Sequence, residues 1–333
     1  MRCSRSGCFA SVVSIACGLS GLTPVRSHEP TDFYEGKTIK IIMPTAPGGT
    51  YTLYANLVIQ RLRQRIPGAP NLVLQFMPGG SAAMNYLYNL ASKDGLTIGM
   101  LEQTAAVTQV VSPEAARYDV RNFAALGLVA QLNGVLTVGN NVPVHNVDEL
   151  KQKSLTLSAP NQQNYQYIIP QMMNRYLGTK FKVITGYQGT AETTLAMTRG
   201  EVDGVFTSWL TVKQQRSGGS LDDDGGHVLL QVGYKSDPDL DVPLLQNLAA
   251  DDKSRQAFAF AAAVSALSRG FIAPPGVPQG RLIVLRAAFA ATLEDPELPA
   301  LLQQRNLPFS PLTWQAQQMI MNSTAETPRE LVQ

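Results

Sequence analysis

Residues 38–55 read Thr-Ile-Lys-Ile-Ile-Met-Pro-Thr-Ala-Pro-Gly-Gly-Thr-Tyr-Thr-Leu-Tyr-Ala, and this stretch decides the fold. Ile39, Ile41, Ile42 and Met43 supply an apolar strand. Pro44, Pro47, Gly48 and Gly49 stop it, and the glycines let the backbone approach a neighbour closely. Thr50 then reads as the N-cap of a helix. A helix that begins at the mouth of a sheet offers free N–H groups and the positive end of its dipole. The segment is therefore a candidate site for a carboxylate.

The same strand-then-turn-then-helix pattern continues outward without any sequence repeat. Strands are expected at 72–75, 97–101, 135–138, 155–157, 181–184, 205–206 and 228–232, and a helix at 82–90. Asn146, with Glu149 three residues on, predicts a short capped helix to Lys151. Residues 257–267 form an apolar stretch too short to span a bilayer and read as a buried element. Alternating strands and helices predict α/β architecture with mainly parallel sheets. In such sheets ligands bind beyond the carboxyl ends of the strands. The turns at those ends are built mostly of small, hydroxylic and amide residues.

Composition narrows the function. Arg2 and Arg5 followed by an apolar stretch, with Val25-Arg26-Ser27 before His28, read as a secretory leader over residues 1–27. A lipid anchor at Cys17 is the alternative, against which Ser14 stands where Leu is usual. Cys3, Cys8 and Cys17 all lie in the leader, so the mature chain has no cysteine. Cleavage takes the formal charge from +2 to −1, with no footprint of a nucleic-acid binder. Asp222, Asp223 and Asp224 lack the spaced oxygen ligands of a calcium loop and read as a solvated turn. No metal site and no cofactor are expected. His28, His145 and His227 are too scattered for a triad or a zinc site. The glycine-rich loop also lacks the Gly-Lys-Ser/Thr of a P-loop.

Taken together, the motifs resemble those of the substrate-binding proteins of tripartite tricarboxylate transporters, also called Bug receptors. Pro44 to Ala55 is similar to that family's Pro-x-x-Pro-Gly-Gly signature, and Met77-Pro78-Gly79-Gly80-Ser81 to its second loop. The resemblance extends through Lys93 to Gly99, Thr185 to Gly189, Arg199 to Gly204, Ile272 to Pro278 and Leu293 to Glu297, nearly the whole mature chain. It implies a two-lobed, periplasmic-binding-protein-like α/β fold (type II, flytrap) with a central cleft and two hinge crossings. Lobe 1 would comprise residues 28–136 and 235–333, and lobe 2 residues 137–234.

The implied function is an extracytoplasmic receptor. It would close over a small carboxylate, without catalysis, and pass it as a monomer to membrane permease subunits. The expected ligand contacts are Thr45, Ala46, Gly48, Gly49, Thr50, Tyr51, Gly79, Gly80, Ser81, Thr104, Asn161, Gln162, Tyr187 and Thr207. Tyr51, Tyr54, Tyr165, Tyr187 and Trp209 cluster near strand ends, which raises the expectation of an aromatic carboxylate. Relatives usually carry Asp at Thr52 and Arg at Asn56, a helical ion pair worth about 0.3–0.5 kcal/mol. Its absence is either a lost structural pair or a change in ligand charge preference, with Thr52 as a hydroxyl donor. A receptor that partners a sensor kinase, or a periplasmic enzyme, are the alternatives.

Overall fold

The computed structural model describes residues 32–217 and 226–332. The leader with its cysteines and the Asp222–Asp224 loop lie outside the described residues. The strands are β1 (Thr38–Met43), β2 (Asn71–Phe76), β3 (Thr97–Met100), β4 (Ala124–Leu128), β5 (Gly134–Val138), β6 (Ser154–Ala159), β7 (Lys180–Thr185), β8 (Gly204–Ser208), β9 (His227–Val232) and β10 (Gly270–Ala273). The helices are α1 (Thr50–Arg65), α2 (Ser81–Asn89), α3 (Ala105–Val111), α4 (Val147–Gln152), α5 (Tyr165–Leu177), α6 (Thr190–Thr198), α7 (Trp209–Ser217), α8 (Asp252–Ala266), α9 (Gln279–Leu293), α10 (Glu297–Gln303) and α11 (Trp314–Ala325).

Two five-stranded sheets result, ordered β2-β1-β3-β10-β4 and β7-β6-β8-β5-β9. Each begins with three parallel strands and ends with two antiparallel pairings. The expectation of mainly parallel sheets is corrected on this point. β4 (Ala-Ala-Leu-Gly-Leu) and β10 (Gly-Phe-Ile-Ala) are short and rich in Gly and Ala, so they carry little local strand signal. Pairing with neighbours distant in sequence makes them strands.

Both faces of each sheet are covered, which is why the central strands β3, β10, β8 and β5 are buried along almost their whole length. Ile39, Ile41 and Met43 point into a core shared with α1 and α9, whereas Ile42 points to the opposite face, among α2, α3 and Met321 of α11. In the second sheet Leu136, Leu157 and Phe206 meet α5 and α8, while Val135 and Val205 meet α6 and α7. Phe258, Ala261 and Val264 place α8 in the core of the second sheet, and the chain joins the first sheet only at Gly270.

Two segments link the sheets, residues 129–133 and 267–269, and they run side by side. Val129 N–H donates to the Arg269 carbonyl at 3.0 Å, and Leu132 N–H to the Ser265 carbonyl at 3.1 Å. The Ser265 hydroxyl donates to the Val232 carbonyl at 2.9 Å and accepts from Gly134 N–H at 3.3 Å. A paired crossing of this kind is a natural hinge, because few backbone torsions separate two well-packed bodies.

Candidate functional site

The loops that follow β1, β2 and β3 touch one another at the carboxyl edge of the first sheet. Parallel register puts Met43 beside Phe76. Gly80 N–H donates to the Pro44 carbonyl at 3.2 Å, which ties the second loop to the first. Gly79 (φ +111°) and Gly80 (φ +42°) hold a backbone that side-chain-bearing residues avoid. A Cβ on Gly80 would lie 3.3 Å from Glu102 Cγ and 3.7 Å from Oε2, so the third loop sits directly against the second.

The helix at the first loop starts one residue earlier than expected. Gly49 is the N-cap, with no side-chain cap, and Thr50 is the first helical residue. The Thr50 hydroxyl instead accepts a 2.6 Å hydrogen bond from the Arg269 guanidinium. Thr52 accepts from Gly48 N–H at 3.3 Å and so closes the loop's own turn.

Arg269 organises the corner. It lies on the second crossing, is 5% exposed, and stacks on the Tyr51 ring with its guanidinium carbon 4.1 Å from the centroid. It also donates to the Ser268 carbonyl at 2.7 Å, while its Nε–H is buried without a partner. Among the described residues no carboxylate pairs with it. A buried, unpaired guanidinium is costly unless its field is used, so an anion belongs near it.

Glu102 is the second charged group. Thr104 donates to its Oε1 at 3.4 Å. Burial pushes its carboxyl above the ordinary carboxylate range, opposed by the Thr104 N–H and by Arg269. Tyr51 links the two charges: its ring carries Arg269, and its hydroxyl accepts from Gln103 N–H at 3.2 Å. Burial and the nearby Glu102 push that hydroxyl well above its ordinary value.

The second sheet repeats the loop arrangement. Gly186 N–H donates to the Pro160 carbonyl at 3.1 Å, the counterpart of Gly80 to Pro44. Tyr165, at the start of α5, lies beside Thr207 and Gln103 and within electrostatic reach of Arg269 and Glu102. This is where the two sheets' loops meet. Thr45 Oγ1 and Thr207 Oγ1 are buried without hydrogen-bond partners.

The expected contacts thus divide. Thr45, Thr50, Tyr51, Gly80, Thr104 and Thr207 surround or adjoin the Arg269–Glu102 region; Ser81 opens α2 beside it. Ala46, Gly48, Gly49 and Gly79 form the exposed rim. Asn161 is exposed, and its Oδ1 accepts from Gln163 N–H at 3.0 Å; Gln162 is likewise exposed. Tyr187 is half-buried, packed against the cluster of α6 and α7 residues that includes Trp209. Tyr54 is buried and donates to the Pro308 carbonyl at 2.7 Å. Of the five aromatics, Tyr165 remains at the meeting point with its ring uncommitted to Arg269 or to the α6–α7 core. Sequence reading missed Arg269 and Glu102. The one local signal was their charge amid apolar strand ends, since 219 residues separate Arg269 from Thr50.

Other features lie elsewhere. A cavity of about 1070 Å³ opens between α7, the crossing residues Gln131 and Asn133, and residues 299–310, and none of the expected ligand residues lines it. His145 and His227 stack edge to face at 5.5 Å, at the end of the second sheet remote from Ser208. Among the described residues no cluster of His, Cys, Asp or Glu is arranged to hold a metal, and no helix is long and apolar enough to cross a membrane.

No protein-family model matches the chain, and no curated protein matches it in sequence. Solved structures do match. A TctC solute-binding protein from Polaromonas is 18% identical, with a TM-score of 0.70 over 90% of this chain and 99% of its own. MatC from Rhodopseudomonas palustris, solved with malate, is 16% identical at a TM-score of 0.65, over 89% of this chain and 99% of its own. A second R. palustris protein, solved with adipate, is 18% identical at 0.64, over 87% and 94%. By its sheets, its paired crossings and these matches, the chain has the two-lobed α/β fold of the TctC-type periplasmic solute-binding proteins.

Proposed function

We propose that the protein is a periplasmic receptor that captures a small carboxylate-bearing metabolite between its two sheets and presents it to the permease subunits of a tripartite transporter. The carrying observation is the buried, unpaired Arg269 at the uncapped N-terminus of α1. That corner concentrates positive potential where the loops of both sheets meet. Structural relatives solved with malate and adipate support the same ligand class.

In this reading the sheets belong to two lobes that pivot about residues 129–133 and 267–269. Thr45, Ala46, Gly48, Gly49, Thr50 and Tyr51 grip the ligand from the first loop. Gly79, Gly80, Ser81 and Thr104 complete the first lobe's side, and Asn161, Gln162, Tyr187 and Thr207 close from the other. Ligand stabilises the closed form by touching both lobes, and no bond is made or broken. The protein acts as a monomer, secreted through its leader.

The test is a thermal-shift screen of the mature chain against mono-, di- and tricarboxylates, aliphatic and aromatic. A ligand that binds only the native state raises the melting temperature, by about 2.7 kcal/mol of stability at a hundredfold excess over Kd. Gly48→Val serves as the site control. Its Cβ would project into open space from φ +96°, so the variant is expected to fold with a lowered melting temperature and to lose the shift. A shift retained in Gly48→Val removes the first loop from the site; no shift with any carboxylate overturns the reading.

A further inference from the structure

We propose that the cleft is charge-separated and selects a small zwitterion, with the ligand's carboxylate at the α1 corner and its ammonium at Glu102. The inference rests on the receptor reading above and names its substrate class.

The two helix N-termini of the first sheet are electrostatically opposite. At α1 no acidic residue stands in the first turn and Gly49 supplies no side-chain cap. The charge placed there is Arg269, 5% exposed, bonded to Thr50 and with its Nε–H buried and free. A cation at the positive end of a helix dipole is unfavourable alone. An anion held there resolves the dipole, the guanidinium and the uncapped N–H groups together.

At α2 the arrangement is reversed. Gly80, the N-cap, again provides no side-chain cap, but Glu102 lies against it, with Oε2 3.7 Å from where a Cβ would be. Among the described residues Glu102 has no ion-pair partner. Its neighbours from the second sheet, Tyr165 and Thr207, are neutral. Arg269 already acts on Glu102, so a second carboxylate brought to this corner would add like charge with no further cation to offset it. An ammonium would instead favour the charged form that burial disfavours in Glu102, and would find hydroxyl acceptors beside it. The two corners share Tyr51, so one compact ligand can span them.

The experiment is calorimetric titration of the mature chain with length-matched probes, 4-aminobutyrate against succinate and 6-aminohexanoate against adipate. Wild type is expected to prefer an amino acid to its matching diacid by at least tenfold. Glu102→Gln should shift that ratio at least tenfold toward the diacid at an unchanged melting temperature. Glu102→Asp, which keeps the charge, should keep the preference. Equal or tighter diacid binding by wild type overturns the inference and leaves the receptor reading standing, as does an unaltered ratio in a folded Glu102→Gln variant. Failure of every probe and of the whole carboxylate panel overturns both.

Discussion

The two sheets are one topology used twice with different loops. In each, the first of the three parallel strands, β1 or β6, sits between the other two, and the remaining two places are filled through antiparallel pairings. Even the tie between loops recurs, Gly80 N–H to Pro44 and Gly186 N–H to Pro160. The helix starts differ. Asn164 caps α5 by accepting from Gln166 N–H at 2.9 Å, whereas α1 begins at Gly49 without a side-chain cap. The first sheet's loops carry Glu102 and face Arg269, while the second sheet meets them with Tyr165 and Thr207. The lesson is that strand order is set by the buried faces, while ligand chemistry is set by the few residues that end each strand.

The sharpest way to break the comparison is through the cores. Ile41 and Leu157 are both fully buried, one in each sheet. Ile41→Ala and Leu157→Ala are each expected to cost about 2–5 kcal/mol in urea denaturation. If the halves are as separate as their cores, each variant produces an early partial transition that reports only its own sheet. A single shared transition in both would show that the crossings weld the halves together.

Next in size is the charge asymmetry. Arg269→Met keeps the stem against Tyr51 and removes the guanidinium, and should weaken carboxylate binding by about 1.5–3 kcal/mol, the range for a hydrogen bond to a charged group. Titration calorimetry reads this directly; unchanged affinity would remove Arg269 from the site.

The caps come third. Asn164→Ala should destabilise the second half by about 1 kcal/mol, whereas Gly49→Ala should cost less, having no side-chain cap to lose. Equal losses in chemical denaturation would contradict the difference drawn between the two helix starts.

The smallest effect is on pH. Glu297 N–H, 3.0 Å away, then Arg65 at 3.1 Å and Arg61 hold the Asp295 carboxyl below its ordinary range, against the effect of burial. Its folded value lies below its unfolded one, so its contribution is complete above about pH 3.9 and lost as pH falls through the folded value. Asp295→Asn should lower the melting temperature at neutral pH, and the gap should close in acid. A gap that persists there would assign the effect to packing.

Much of this was legible in residues 38–55 and their echoes. Apolar runs stopped by Pro and Gly, and the Asn146–Glu149 cap, are local signals, and β1, β2, β6 and α4 appear where those signals stand. β4 and β10 were not legible, whereas β5 and β9 stand where strands were expected at 135–138 and 228–232. Gly-Phe-Ile-Ala is too short, and half Gly and Ala, to declare a strand by itself; Met100 and Leu128 flank it only in the folded chain.

The sequence by itself determined which segments are buried and where the backbone must turn, because apolar burial and φ limits act over a few residues. Tertiary structure alone decided what the turns face. It brought Arg269 to Thr50 and Glu102 to Gly80, set Tyr51 against the guanidinium and laid Tyr187 half-buried against the α6–α7 cluster. Electrostatic and packing partners are chosen by distance in space, and distance in space is not written in residue order.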